Sequence, residues 1–305
     1  MLFRSKAINS RTTLSVSQNF LHDESLVQRL VDETSICKDD TVYEIGPGKG
    51  IITQVLADTG AHIIAIELDK HLCSSLQERF AKVENVEIVC ADASTYNYPK
   101  DRPIKFFSSI PFNITASILQ SVLSLPNVVD VYFIMQHEAF LKYAGKPFYQ
   151  ESLKSLYYKP LFSFDDIYDF QPKDFVPAPN VRIVLSHIHR EKCSFSSDQL
   201  SLYRDFITFI FSENGVDFKQ KTKRIFTYEQ LKRTSKAAGI APTCKVTELT
   251  YDNWMQIFDS FRRYVSADKQ NLVYGASRRL TTNQQKLKKD HRTHNQHFPK
   301  GINKH

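Results

Sequence analysis

The chain lacks the features that mark secreted, membrane-spanning and metal-stapled proteins. Its 305 residues hold five cysteines (Cys37, Cys73, Cys90, Cys193 and Cys244), an odd and scattered set with no CxxC pair. That spacing predicts neither a zinc site nor a disulfide framework, and reduced thiols in a cytoplasmic protein are the expectation. No run of roughly 18 or more apolar residues occurs, so no membrane span is expected. The opening "MLFRSKAINSRTT" has no apolar core and no small-residue cleavage site, and does not read as a signal peptide. Acid is scarce in one segment. Residues 266–305 carry nine Lys/Arg against Asp268 and Asp290, which accounts for the whole formal charge of +7 and leaves the rest neutral. A basic tail on a neutral body suggests a polyanionic partner, most simply nucleic acid; a solvated, partnerless end is the alternative.

What is present is enough for one large domain and one small one: 42% hydrophobic and 24% charged residues, as in a soluble globular chain. Five short apolar runs, "DDTVYEIG", "AHIIAIELD", "NVEIVCAD", "PIKFFSSI" and "DVYFIMQ", alternate with helix-like segments at 51–59, 70–80 and 115–124. That alternation predicts an α/β fold with a parallel sheet. "FSFDDIYDFQ" and "VRIVLSHIHR" follow, joined by "PKDFVPAPNV", whose three prolines exclude a helix, and are expected as an antiparallel hairpin on the sheet edge. Beyond Arg190 helical periodicity takes over, with Thr250 placed to cap a helix over "YDNWMQIFDSFRRYV". The expected organisation is a flexible segment at 1–17, a catalytic domain at 18–190, a small all-α domain at 191–265 and a disordered tail at 266–305.

"VYEIGPGKG" places Glu44, Gly46, Gly48 and Gly50 between the first strand and a helix. The pattern is E-x-G-x-G-x-G and not the G-x-G-x-x-G of pyrophosphate-binding turns. The second strand ends in Glu67 and the third in Asp92, both at carboxyl ends of parallel strands, where such sheets bind ligands. The nucleoside of S-adenosyl-L-methionine fits this set: a ribose for Glu67, an adenine for the Asp92 turn, a sulfonium near the glycines, and no phosphate. Taken singly, Glu67 and Asp92 could equally be acids favoured by helix dipoles.

The fourth strand ends in "SSIPFNIT". The exocyclic amine of a base is a weak nucleophile, because its lone pair is delocalised into the ring. Acceptors that take both amine hydrogens aim that lone pair at a methyl group, and an aromatic can stack on the flipped base. Pro111 and Phe112 fit such a site, with Ser109 as the side-chain acceptor. A plain turn with Phe112 in the core is the alternative.

In order, "SQNFL" (17–21), "EIGPGKG" (44–50), "AIELD" (65–69), "AD" (91–92), "SIPFNIT" (109–115) and "FVPAPNV" (175–181) resemble the rRNA adenine N6-methyltransferases, over roughly residues 15–265. The helical segments "RIFTYEQLKRTSKAAGI" and "LTYDNWMQIFDSFRRYV" look more like the Erm type, which modifies an adenine of 23S rRNA and confers macrolide, lincosamide and streptogramin B resistance. The KsgA type, acting on small-subunit rRNA, shares the motifs. The resemblance implies a Rossmann-like S-adenosylmethionine-dependent catalytic domain and a helical RNA-binding domain. It implies that Gln18, Asn19 and Leu21 close over the cofactor, that Gly46 and Gly48 lie by its methionine part, that Glu67 and Asp92 hold ribose and adenine, and that Ser109 also belongs to the cofactor site. Phe112 would then stack on the target adenine and Pro111 offer a carbonyl. The implied protein is a cytoplasmic monomer that works on naked or early-assembling 23S rRNA without a metal. Ser109 departs from the family's N-[IL]-P-[FY], which raises a non-catalytic RNA-binding homologue as a further reading.

Overall fold

The computed structural model describes residues 19–146 and 150–290, of which 284–290 by backbone alone. These residues divide into two compact units, one holding residues up to 146 with 158–193, the other 150–157 and 194 onward.

The first unit carries nine strands: β1 (Phe20–Leu21), β2 (Thr41–Ile45), β3 (His62–Glu67), β4 (Val86–Cys90), β5 (Ile104–Ser109), β6 (Val128–Gln136), β7 (Phe162–Asp169), β8 (Phe175–Val176) and β9 (Ile183–Arg190). Its helices are α1 (Glu24–Asp32), α2 (Ile51–Asp58), α3 (Lys70–Arg79), α4 (Thr115–Leu123) and α5 (His137–Ala144). Seven strands form one sheet in the order β4-β3-β2-β5-β6-β9-β7, and β1 pairs with β8 in a separate two-stranded ladder. β2 to β6 run parallel, with Tyr43 opposite both Ile64 and Phe106. β6 is buried along nearly its whole length, as a parallel strand covered on both faces must be. β9 pairs antiparallel with both β6 and β7, so the expected edge hairpin is present. Its connection, expected to be non-helical, holds one 3-10 turn at Pro172–Asp174, compatible with proline in a first turn.

The chain runs outward from β2 through β3 to β4, then crosses back to β5 on the other side of β2. This reversal makes the carboxyl ends of β2 and β5 the sheet's switch point, the place where such sheets open a crevice.

The second unit is all-α: α6 (Leu153–Tyr158, all but its last residue), α7 (Ser197–Ser212), α8 (Phe218–Thr222), α9 (Tyr228–Ala237), α10 (Tyr251–Tyr264), α11 (Ala267–Asn271) and α12 (Ala276–Asp290). Thr250 caps α10, its side chain accepting from the Asn253 N–H. Trp254, Phe206, Phe258 and Phe261 centre the core. Two parts of the expected organisation change here. Residues 150–157, expected with the sheet, belong to this unit, because Leu156 is fully buried in its core. Residues 266–290, expected as disordered tail, form α11 and α12. Val273 and Ala276 enter the core, and the buried Asp205 carboxylate accepts from the N–H groups of Gly275 (2.6 Å) and Ser277 (2.9 Å). Two small apolar residues and a distant acid are too sparse a signal amid basic and polar sequence. Residues 291–305 and the segment before 19 lie outside the described residues.

Cys73 on α3 and Cys90 at the end of β4 are joined as a disulfide with Cα atoms 5.8 Å apart, against the expectation of reduced thiols. The 17-residue separation hides the pair in sequence; packing α3 against β4 brings it together. Among the described residues no helix is long and apolar enough to cross a membrane.

Candidate active site

The turn after β2 is built on positive φ at Gly46 (67°), Gly48 (58°) and Gly50 (79°). At Gly48 a side chain would be strained and its Cβ would stand 3.1 Å from the Phe20 ring, so the chain must have glycine there. Gly46 N–H donates to the Ile66 carbonyl at 2.9 Å, which ties the turn to β3. Glu67, buried at the end of β3, accepts from Gly48 N–H at 3.2 Å and from Asp69 N–H at 2.9 Å. Glu44 points behind the turn, where its carboxyl accepts from the Thr53 hydroxyl at 2.6 Å. Burial pushes Glu44 up to about 8; the Thr53 hydrogen bond opposes this and the Glu67 charge adds to it.

Two clefts open at the carboxyl ends of the strands and share Gly46 and Pro111. The first, about 740 Å³, is lined by Asn19, Phe20, Leu21, Gly48, Lys49, Ser109, Ile110 and Phe112 among others. The second, about 820 Å³, is lined by Glu67, Leu68, Asp92, Ser94, Asn113 and Ile114 among others. Of the expected cofactor residues, Gly46, Glu67 and Asp92 therefore meet in the second cleft. Asn19, Leu21, Gly48 and Ser109 meet in the first; Gln18 lies outside the described residues.

The β1–β8 ladder, with Leu21 opposite Phe175, closes the first cleft. Asn19 Nδ2 donates to the Pro177 carbonyl at 2.6 Å. Phe20 covers Gly48 and carries the Lys49 ammonium 5.8 Å from its ring centre. Thus Phe20–Leu21 and Phe175–Val176, some 150 residues apart in the chain, are the two halves of one ladder.

The paired serines of "SSIPF" point to opposite faces, as the strand pleat requires. Ser108 is fully buried and its hydroxyl accepts from Ile45 N–H at 2.7 Å, a structural link between β5 and β2. Ser109 is half-buried and faces the first cleft, and its hydroxyl makes none of the described hydrogen bonds. Phe112 lines the same cleft, half-buried and packed against the core cluster beneath. The Pro111 carbonyl differs from expectation: it accepts from Ile114 N–H and from Thr115 Oγ1, both at 3.1 Å. Both of its lone pairs are directed into the first turn of α4, so it is not free to receive a substrate amine. The Ile110 carbonyl, one residue earlier, accepts none of the described hydrogen bonds.

The second cleft carries two carboxylates and, among its lining residues, no Lys, Arg or His. Leu68 (63% exposed) and Ile114 (37%) offer apolar surface at its rim. Such a cleft suits a nucleoside that is cationic and free of phosphate, and it repels pyrophosphate. S-adenosylmethionine meets that description. Leu68 and Ile114 were not singled out from sequence; an exposed aliphatic directly after Glu67 is the signal that marks the first of them.

A model of the ribosomal RNA adenine dimethylase family matches residues 9–263. The chain is 28% identical to an rRNA adenine N-6-methyltransferase of Bacteroides fragilis over 243 residues, 79% of this chain and 90% of the relative. It is 27% identical to a ribosomal RNA small subunit methyltransferase A of Persephonella marina over 262 residues, 84% of this chain and 96% of that one. Among solved structures it is similar to the 23S rRNA methyltransferase ErmE, with a TM-score of 0.74 at 24% identity, covering 80% of this chain and 100% of that one. With the glycine turn, the paired clefts and the Ser109–Phe112 edge, the match over residues 9–263 shows that the chain belongs to the ribosomal RNA adenine dimethylase family, S-adenosylmethionine-dependent enzymes that methylate adenine N6 in rRNA.

Proposed function

We propose that the chain is an Erm-type methyltransferase that modifies one adenine of 23S rRNA at N6 and thereby confers resistance to macrolides, lincosamides and streptogramin B. The observation that carries the catalytic part is Ser109, Ile110 and Phe112 lining one cleft beside a second that is acidic and free of cations. S-adenosylmethionine, when bound, supplies an electrophilic methyl group. In this reading Glu67 takes the ribose hydroxyls, Asp92 lies by the cofactor adenine, and Leu68 and Ile114 cover its faces. Gly46 and Gly48 leave room for the methionine part, under Asn19 and Leu21. Phe112 stacks on the flipped target base. Ser109 Oγ accepts one hydrogen of the target amine, and the Ile110 carbonyl, in place of Pro111's, accepts the other. Aiming the lone pair in this way needs no strong general base, so the work is positioning and local electrostatics. The helical unit and the basic C-terminal segment are the RNA-binding parts, the latter through phosphate contacts without sequence specificity.

The 23S target rests on the likeness of the "RIFTYEQLKRTSKAAGI" and "LTYDNWMQIFDSFRRYV" helices to the Erm type. Likeness to a small-subunit enzyme supports the KsgA-type reading as second. Methyl transfer to naked 23S rRNA and to small-subunit particles, side by side, separates them. Transfer to one 23S adenine, with macrolide resistance in an expressing bacterium, is the expected result. Transfer only to small-subunit particles supports the second reading, and transfer to neither supports a non-catalytic RNA-binding protein.

A further inference from the structure

At the amino ends of β5 and β6, away from both clefts, Asp130 of β6 is buried beneath two imidazoles of β9. His187 Nε2 and His189 Nδ1 each lie 2.7 Å from Asp130 Oδ1. The three ligand-type atoms lie within 4.8 Å of one another. The placement follows from the pleat: His187 and His189 are two apart and share a face, and Asp130 pairs directly opposite His189.

We propose that Asp130, His187 and His189 form a binding site for a divalent transition metal ion, zinc being the fitting choice, which staples β9 to β6. Two imidazoles and one carboxylate are a recurrent three-ligand set for zinc, with water in the fourth position. The carboxylate and one of the rings are held in place by their neighbours. The Ser35 hydroxyl donates to Asp130 Oδ2 at 2.8 Å, leaving Oδ1 to face the imidazoles. Tyr132 stacks on His187 with ring centres 4.5 Å apart and planes 9° from parallel, and its hydroxyl donates to Ser35 Oγ at 3.1 Å. The Lys105 ammonium stands 3.9 Å from Asp130 Oδ2 but is paired with Asp40 at 2.8 Å. With neutral imidazoles the group therefore keeps one net negative charge, on the side open to an ion. The imidazole side chains are 26% and 42% exposed, so both rings can be approached from solvent. Tetrahedral zinc with bonds near 2.1 Å needs ligand atoms roughly 3.4 Å apart, so the imidazoles swing outward by about 0.7 Å on binding. Each neutral ring then carries its proton on the outer nitrogen. The sequence sign was "HIH" in a strand, invisible to a search for cysteine pairs.

The test uses the full chain without an affinity tag, stripped with a chelator and titrated with zinc chloride by calorimetry, with metal analysis after dialysis. Retained zinc, and a thermal transition raised by zinc, are expected. His187→Gln, His189→Gln and Asp130→Asn should each weaken zinc binding by about tenfold or more. Each variant's S-adenosylmethionine affinity, set by the distant clefts, reports whether it is folded. Cobalt chloride should give the visible absorption of a low-coordinate site, absent in His187→Gln. No retained zinc, or equal zinc binding in a folded His187→Gln/His189→Gln double variant, overturns the proposal, the latter by placing the ion on other histidines.

Discussion

The Gly48 N–H donates to the Glu67 carboxylate across the gap between β2 and β3. The acid that would hold a ribose is therefore already aimed by the turn that would hold the methionine part. Glu67→Ala is expected to weaken S-adenosylmethionine binding by about 1–3 kcal/mol, the scale of lost hydrogen bonds to a charged group. Calorimetry checks this, and unchanged affinity would remove Glu67 from the cofactor site.

Glu44 gives a pH dependence with a definite sign. Its carboxyl ionises near 8 in the folded protein, against 4.5 as the ordinary value. Between those values the folded chain holds a proton that the unfolded chain has released. Stability therefore falls as pH rises through this window, by at most about 1.4 kcal/mol per pH unit, and levels off above 8. Glu44→Gln removes the effect. Its urea midpoint should gain steadily on the natural protein's from pH 5 to pH 8 and match it most closely near pH 5. A constant difference across that range would show that Glu44 does not titrate there.

Two truncations separate folding from RNA affinity. Removal of 266–305 takes Val273 and Ala276 from the helical core and leaves the Asp205 carboxylate without two backbone donors. A loss of about 2–4 kcal/mol in urea unfolding is expected. Removal of 291–305 touches none of the described contacts and takes away Arg292, Lys300 and Lys304. It should leave the thermal transition in place, make the salt dependence of RNA binding shallower, and preserve the modified adenine. A switch of adenine would show that this segment reads RNA structure.

What was legible in the sequence was whatever a local pattern fixes. The alternating runs gave the parallel strands, three prolines marked the hairpin connection, and Thr250 announced α10 three residues before its partner Asn253. What was not legible depends on contacts between distant residues. Cys73 and Cys90 meet only because α3 packs against β4, and α12 is anchored by Asp205 from α7. In the candidate site, Ser109, Ile110 and Phe112 line a cleft, but the direction of a carbonyl is set by the turn that follows. Thr115 and Ile114 claim the Pro111 oxygen, and no spacing rule announces that.

Phe112 has two roles to disentangle, because it lines the first cleft and also packs on the core. Phe112→Ala is expected to lower stability by about 1–2 kcal/mol, less than the 3–5 kcal/mol for a fully buried Phe. Phe112→Leu keeps most of that packing and loses the stacking face, so it should hold its thermal transition while methylation falls by about 1–3 kcal/mol in barrier. Phe112→Tyr should keep both. Full activity in Phe112→Leu would leave Phe112 a core residue only.

In the proposed reading, Ser109 sets how fast methyl is transferred. Its hydroxyl faces the cleft and has no described partner, so it is available to accept a target amine hydrogen, though it reaches less far than an asparagine amide. An acceptor slightly out of reach costs about 1–3 kcal/mol, or about 5- to 150-fold in rate. The natural protein is therefore expected to transfer methyl slowly in single-turnover assays on a 23S rRNA fragment. Ser109→Asn should raise that rate within this range without changing cofactor affinity, and Ser109→Ala should lower it further. If the natural protein is inert and Ser109→Asn restores transfer, the chain is an RNA-binding relative that lost its chemistry at this position. Equal rates for the natural protein and Ser109→Ala would mean that the side chain at 109 takes no part. Orientation would then fall to the Ile110 carbonyl and the Phe112 ring, because the Pro111 oxygen is already held by α4.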